Sequence, residues 1–156
     1  NSFFIYNKPS FIMGVGDIIK PKRISLKPYK LLLITPGISI SSSMVFENYK
    51  KRKKKLNFDI KKVTKKLDSR EFVDVVVKND ILSWQEILNN DLEEVSFSIY
   101  PELKKIKDYL YEIGAIYASM SGSGSSVYGL FAQKEAFDFS SFFVEKEYFI
   151  WNEDLH

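Results

Sequence analysis

A chain of 156 residues that is 45% apolar and contains 13 Phe, 9 Tyr and 2 Trp has the material for one folded core, so disorder is excluded as its main state. It has no cysteine, and its single histidine, His156, is the last residue; this excludes disulfides and argues against a zinc site or a catalytic imidazole. A net charge of +3 is too small to predict a nucleic-acid or membrane partner, and no apolar stretch approaches the roughly 18 residues of a membrane span. We therefore expect a cytoplasmic protein without a metal site in this chain.

The first predicted elements are two apolar runs separated by a turn. Residues 3–6 and 11–15 flank Asn7-Lys8-Pro9-Ser10, which predicts a hairpin, and Gly14-Val15-Gly16-Asp17 interrupts its second arm. Because an apolar run follows Asn1 without a lead-in, we expect the sequence to begin inside a larger protein.

A strand and several helices follow. The run KLLLIT at residues 30–35 is largely apolar and stops at Pro36-Gly37, the pattern of a central strand. The three serines at residues 41–43 can cap a helix that continues into a basic block at residues 50–55. Further helices are predicted at residues 60–67, 70–77 and 84–88.

The most regular helix lies between Pro101 and Gly114. Pro101 suits the first helical turn, and Gly114 suits the position after the last one. Apolar residues recur between them at steps of three and four, as a helix with one buried face requires; they are Leu103, Ile106, Leu110 and Ile113.

Two strands are predicted at residues 115–120 and 127–132, on either side of a Gly/Ser turn. A helix at residues 134–142 and a strand at residues 144–151 complete the chain. Strands and helices that alternate in this way, with tight hairpins, indicate an α+β domain whose sheet is covered by helices on one face.

The Gly/Ser turn is the most informative segment. Its residues are Ser121, Gly122, Ser123, Gly124, Ser125 and Ser126. Such a segment can turn sharply and point N–H groups at an anion, although a hairpin turn without function explains the composition equally well. A Walker A loop starting at Gly124 would need lysine where Leu130 stands, and a dinucleotide fingerprint would need glycine where Val127 stands, so both motifs are excluded.

Two charged segments have structural interpretations that we prefer. The basic block at residues 50–55 lacks interleaved aromatic residues and lies at a helix end, where cations are favoured, which predicts a solvent-exposed helix face. The stretch Asn90-Asp91-Leu92-Glu93-Glu94 could serve metal or base chemistry, but acidic residues before a helix usually act as caps.

Several segments, in their order and spacing, resemble the C-terminal portion of the GHMP kinases, the superfamily of galactokinase, homoserine kinase and mevalonate kinase. They span nearly the whole chain and are Ser2-Phe3-Phe4, Gly14-Val15-Gly16-Asp17, Thr35-Pro36-Gly37-Ile38-Ser39-Ile40-Ser41, Asn90-Asp91-Leu92-Glu93, and the stretch from Gly114 through the Gly/Ser turn to Phe131. Within the superfamily, the similarity is greatest to the branch that phosphorylates 4-diphosphocytidyl-2-C-methyl-D-erythritol. The resemblance implies an antiparallel, ferredoxin-like GHMP kinase C-terminal domain at residues 29–156, after the end of an N-terminal kinase domain (a hairpin and crossover) at residues 1–28.

The resemblance also implies where the active-site residues lie. In this superfamily the Gly/Ser turn packs against an ATP phosphate loop, which would lie far upstream of Asn1. The catalytic aspartate would directly precede Asn1, so no catalytic residue is expected within the chain. Phe46 matches an aromatic residue that lies against the cytosine ring, with Ser42 as a polar neighbour; a core position in an amphipathic helix is an equal alternative for Phe46.

The resemblance thus implies that the whole protein uses ATP and Mg²⁺ to phosphorylate the 2-hydroxyl of the cytidine-bearing alcohol. Its expected partners are that small molecule and its own N-terminal half, and the chain alone is expected to be inactive. Two alternatives stay open: a GHMP kinase for another alcohol, and a non-enzymatic α+β module that binds anionic polymers through residues 50–55.

Overall fold

The computed structural model describes residues 8–13, 15, 17–23, 25–56, 81–133 and 147–155. Its strands are β1 (Ser10–Met13), β2 (Ile18–Pro21), β3 (Tyr29–Thr35), β4 (Tyr117–Met120), β5 (Val127–Ala132) and β6 (Phe149–Asp154). The described helices are α1 (Ser42–Leu56), α2 (Ile81–Ile87), α3 (Glu93–Ile99) and α4 (Pro101–Glu112). The elements predicted at residues 3–6, 60–67, 70–77 and 134–142 lie outside the described residues.

Strands β1 and β2 form an antiparallel hairpin, in which Met13 pairs with Ile18. The N–H of Val15 donates to Asp17 Oδ1 at 3.1 Å within the connecting turn. Val15 and Asp17 therefore lie in a turn between two paired strands, whereas the sequence predicted only an interruption there. Strand β2 has four residues and is mostly exposed, so it carries no apolar pattern by which it could be recognised.

A four-stranded antiparallel sheet with the order β4-β5-β3-β6 forms the body of the domain. Ile34 of β3 pairs with Val127 of β5 on one side and with Ile150 of β6 on the other. This confirms the central strand predicted from the KLLLIT run. Of the strand predicted at residues 144–151, residues 144–146 lie outside the described residues, and β6 covers residues 149–151 and continues to Asp154. Its mostly exposed, acidic end gives no hydrophobic alternation, so the sequence did not predict it.

The main core lies between one face of the sheet and helices α1, α3 and α4. Helix α4 contributes the predicted apolar stripe, and complete burial of each such side chain stabilises the fold by about 1.5–3 kcal/mol. The fully buried members of this core include Leu32, Ile34, Val45, Leu103, Ile106, Leu110, Val127 and Phe131.

Helix α2 packs against the opposite face of the sheet. The rings of Trp84 and Tyr117 meet edge to face with their centroids 5.7 Å apart, and the Tyr117 hydroxyl donates to the Leu88 carbonyl at 3.1 Å. Ile81 and Leu130 complete this smaller cluster. The predicted α+β class with an antiparallel sheet is confirmed: three of the described helices share one face, and α2 adds cover to the other.

Helix α1 begins as predicted at the serines. The carbonyl of Ser41 accepts the N–H of Val45 at 3.1 Å, and Ser41 Oγ lies 3.4 Å from the Met44 nitrogen, so Ser41 occupies the N-cap position. Among the described helices, none is long and apolar enough to cross a membrane.

Among the described strands, β4 lies at an edge of the sheet, and side chains bond its outward backbone groups. The Tyr111 hydroxyl accepts the N–H of Ala118 at 3.1 Å and donates to the Ala118 carbonyl at 3.2 Å. Gln85 Nε2 donates to the carbonyl of Ile116, just before the strand, at 2.7 Å. Helices α2 and α4 thereby fix the strand that leads into the Gly/Ser turn.

Candidate functional site

The Gly/Ser loop, residues 121–126, connects β4 to β5 and is closed by its own backbone. The N–H of Ser121 donates to the Ser126 carbonyl, and the N–H of Gly124 donates to the Ser121 carbonyl, each at 2.9 Å. Gly122 and Gly124 have φ values of +57° and +95°, a region that glycine enters at little steric cost. The two glycines therefore set the loop's path.

The end of β3 and the residue after it bond to the C-terminal end of the loop. The hydroxyls of Thr35 and Ser126 lie 2.8 Å apart, and Ser125 Oγ donates to the Pro36 carbonyl at 3.2 Å. These contacts join two segments that the sequence analysis had selected separately.

The two predicted sites meet at a pair of serines. The hydroxyl oxygens of Ser42, at the start of α1, and Ser123, in the loop, are 2.7 Å apart. Phe46 follows Ser42 by four residues, so both side chains lie on the same side of α1. Phe46 is 49% exposed, whereas its neighbour Val45 is fully buried, so the alternative that Phe46 is a core residue is wrong.

Helix α3 and the residues just before it bond to the first half of the loop and to the end of β4. The buried Ser96 donates its hydroxyl to the Ser123 carbonyl at 3.1 Å. Asn90 Nδ2, just before α3, donates to the carbonyls of Met120 and Gly122, both at 2.8 Å. These contacts could not be predicted from the sequence, because the partners are distant along the chain.

Glu93 is a buried carboxylate that fastens β4 to the helices. Its Oε1 accepts the N–H of Met120 at 2.7 Å and the hydroxyl of Ser119 at 3.1 Å, and its Oε2 accepts Lys107 Nζ at 2.5 Å. The structural role predicted for residues 90–94 is confirmed, but capping is not its form: Leu92 occupies the N-cap of α3, and no side chain bonds there as a cap. The burial of this charge is offset by three donors, so its role is structural.

Two tyrosines line the sheet near this carboxylate. Burial raises the pKa of the Tyr117 hydroxyl and that of the Tyr128 hydroxyl, and the two rings lie 6.2 Å apart. Both phenols are therefore neutral near pH 7 and act as hydrogen-bonding groups rather than as bases.

The chemical capacity of the loop lies in its backbone. In the described ranges, no acceptor contacts the N–H of Gly122, Ser123 or Ser125. Successive N–H groups in a glycine-rich turn suit an anionic oxygen, and the loop carries no side chain that could act as a general base near neutral pH. The described residues also contain no group of three or more His, Asp or Glu that could hold a metal. The arrangement can position an anion but offers no proton transfer.

The basic block of α1 faces solvent over residues 50–54, as predicted. Arg52 pairs with Glu94 of α3, and Lys53 Nζ lies 5.3 Å from the centre of the Tyr49 ring. The Tyr49 hydroxyl donates to Asp91 Oδ2 at 2.8 Å, which adds a second link between α1 and the start of α3.

Comparison with known proteins identifies the domain. Residues 72–146 match the family described as GHMP kinases C terminal. The chain is similar to the 4-diphosphocytidyl-2-C-methyl-D-erythritol kinase of Azobacteroides pseudotrichonymphae, with 43% identity over 129 residues, which are 83% of this chain and 43% of that protein. The kinase of the same name from Parabacteroides distasonis is 35% identical over 153 residues, or 98% of this chain and 50% of that protein. The chain thus spans about half the length, or less, of the curated relatives it matches.

Solved structures share the fold. A 4-(cytidine 5'-diphospho)-2C-methyl-D-erythritol kinase aligns with a TM-score of 0.57 and 22% identity, covering 82% of this chain and 42% of that one. Homoserine kinase from Cytophaga hutchinsonii aligns with a TM-score of 0.61 and 14% identity, covering 94% of this chain and 48% of that one. From the family match and the curated relatives, we conclude that residues 72–146 belong to a GHMP kinase C-terminal domain.

Proposed function

We propose that the whole protein is an ATP-dependent kinase that phosphorylates the 2-hydroxyl of 4-diphosphocytidyl-2-C-methyl-D-erythritol. The contact between Ser42 and Ser123, at 2.7 Å, is the observation that carries this proposal. It joins the start of α1, where we place the contact with cytidine, to the Gly/Ser loop, where we place the phosphates of ATP. The names of the curated relatives support the same substrate.

In this proposal the chain positions substrates and does not perform the proton chemistry. Phosphoryl transfer depends mainly on alignment and on neutralising the charge of the transferred group. Phe46 would stack on the cytosine ring, and Ser42 would offer a polar contact. The N–H groups of Gly122, Ser123 and Ser125, which have no acceptor in the described residues, would border the ATP phosphates. ATP supplies the γ-phosphoryl group, and Mg²⁺ would neutralise its oxygens with ligands from outside the described residues.

The proposal assigns residues 1–28 to the end of an N-terminal kinase domain and residues 29–156 to the C-terminal domain. The strand pairing supports this division, since β1 and β2 form a sheet of their own and the four-stranded sheet begins at Tyr29. The catalytic aspartate and the ATP phosphate loop would belong to the N-terminal half.

The test compares the full-length protein with this chain. The full-length protein is expected to transfer phosphate from ATP to 4-diphosphocytidyl-2-C-methyl-D-erythritol, and cytidine nucleotides should compete with that substrate. The 156-residue chain alone should show no transfer. Activity on homoserine or mevalonate with indifference to cytidine nucleotides would overturn the substrate in favour of another GHMP kinase. Salt-sensitive binding of nucleic acid without kinase activity would favour an interaction module that uses residues 50–55.

A further inference from the structure

We propose that Asn90 is a positioning residue for ATP binding, because its side-chain amide fixes the conformation of the Gly/Ser loop. This inference rests on the proposed kinase function. Asn90 would not touch ATP itself; it would act through the backbone of Gly122 and Ser123.

The Asn90 amide has each of its hydrogen-bonding groups engaged. Its Nδ2 donates to the carbonyls of Met120 and Gly122, at 2.8 Å each, and its Oδ1 accepts the N–H of Leu92 at 3.0 Å. A short side chain with two donors and one acceptor is needed to make all three bonds, and asparagine is the residue that provides it. One amide therefore ties the start of α3 to the end of β4 and to the loop.

The bond to the Gly122 carbonyl sets the direction of the next N–H. A trans peptide is planar, and its C=O and N–H point in opposite directions. When the Gly122 carbonyl is held toward Asn90, the N–H of Ser123 must point away from Asn90. That N–H is one of the groups without an acceptor in the described part of the chain, so Asn90 controls a group that is available to an anion.

The neighbouring anchors do not duplicate this contact. Glu93 holds the N–H of Met120, and Ser96 holds the carbonyl of Ser123. Of the side chains that the structure describes, Asn90 alone contacts the Gly122 carbonyl. Loss of the Asn90 amide donors should therefore release the peptide between Gly122 and Ser123 while β4 and the rest of the loop stay attached.

Replacement by aspartate separates the bonds that Asn90 donates to the loop from the bond that it accepts from the Leu92 N–H. Asn90→Asp keeps an oxygen for the Leu92 N–H and places a negative charge near the start of α3, but it sets a carboxylate against two carbonyl oxygens. Asn90→Ala removes every contact. The matched controls are Asn89→Asp and Asn89→Ala, because Asn89 is exposed and its amide only approaches the Glu86 carbonyl, at 3.5 Å.

The experiment measures the KM for ATP and the KM for the alcohol substrate in the full-length protein. Asn90→Asp is expected to lower the melting temperature, because two carbonyl oxygens lose their donors. It should raise the KM for ATP about tenfold, the cost of losing one hydrogen bond to a charged group, because the Ser123 N–H is no longer held in place. The KM for the alcohol substrate should stay within about twofold, and both Asn89 variants should match the wild type. Asn90→Ala should raise the KM for ATP as well, with some loss of thermal stability.

Other results overturn the inference. A merely structural role would lower Vmax with the folded fraction and leave both KM values unchanged; ATP kinetics equal to those of the Asn89 variants would also reject it. A wild-type protein without kinase activity would reject the proposed function, and NMR order parameters would then decide the role of Asn90. In Asn90→Asp the order parameter of the Ser123 N–H should fall from about 0.85, the value of a rigid backbone, to below about 0.6, whereas Asn89→Asp should leave it unchanged; equal values in the two variants would overturn the inference.

Discussion

Ser42 and Ser123 have their hydroxyl oxygens 2.7 Å apart although 81 residues separate them in the sequence. The contact sets the first turn of α1 against the Gly/Ser loop, and the bond from Ser125 to the Pro36 carbonyl joins the same two segments. A shift of α1 would therefore also move the loop. In the proposed kinase this would link the position of the cytidine-bearing substrate to that of ATP.

Replacement of Phe46 tests the substrate side. Phe46→Ala in the full-length protein should raise the KM for the cytidine-bearing substrate about tenfold to a hundredfold, because aromatic stacking on a base is worth about 1–3 kcal/mol. The KM for ATP should not change. Stability should change by less than about 0.5 kcal/mol, since the side chain is half exposed. Glu47→Ala is the exposed control, and an unchanged KM in Phe46→Ala would remove the residue from the site.

Replacement of Glu93 tests the buried ion pair. Glu93→Ala leaves the Lys107 ammonium and the Met120 N–H without their acceptor, so we expect a loss of about 3–5 kcal/mol in the free energy of unfolding. Glu94→Ala should cost less than about 1 kcal/mol, because its pair with Arg52 is exposed. Urea unfolding of the chain measures both values. Equal costs would show that Glu93 is not a buried anchor.

A series of glycine substitutions tests the loop. Gly124→Ala should destabilise most, because φ is +95° and a Cβ would lie 3.0 Å from both Ile40 Cδ1 and Met120 Sδ. Gly122→Ala should cost about 1–2 kcal/mol from its φ of +57° alone, since no atom lies within 4 Å of the added carbon. Gly37→Ala has neither problem and should be nearly neutral. Urea unfolding should give this order, and a neutral Gly124→Ala would contradict the loop geometry.

The buried tyrosines predict instability in alkali. Burial raises the pKa of Tyr117 and of Tyr128 above the value of about 10 in an unfolded chain. Below about pH 10 both states keep their phenol protons; above it the unfolded chain releases them first, so the free energy of unfolding falls as pH rises. Urea unfolding between about pH 8 and pH 11 measures the slope. The slope should be smaller in Tyr117→Phe, and an unchanged slope would show that this phenol is not the source.

The sequence predicted the elements in which burial produces a regular pattern of apolar residues. Residues 30–35 are a strand that is paired on both sides, so an unbroken apolar run marked it. Helix α4 buries one face, and its apolar spacing marked it equally clearly. The strands around the Gly/Ser loop were recognised for the same reason.

The contacts that shape the site could not be predicted, because polar side chains do not reveal distant partners. Asn90 and Glu93 look like the start of any helix, yet they bond to β4 some thirty residues later. Helix α3 has seven residues, too few for a clear apolar period, and β2 is short and exposed. A local pattern records which residues are buried but not which groups they meet.

The bonds from Tyr111, Gln85 and Glu93 to the outward side of β4 have a consequence for association between molecules. An edge strand with open N–H and C=O groups is a template for pairing with a strand of another chain. Here side chains already occupy those groups, so a second molecule could extend the sheet only by first displacing three helical side chains. The domain can thus present its loop at the end of an edge strand and still resist intermolecular β-aggregation there.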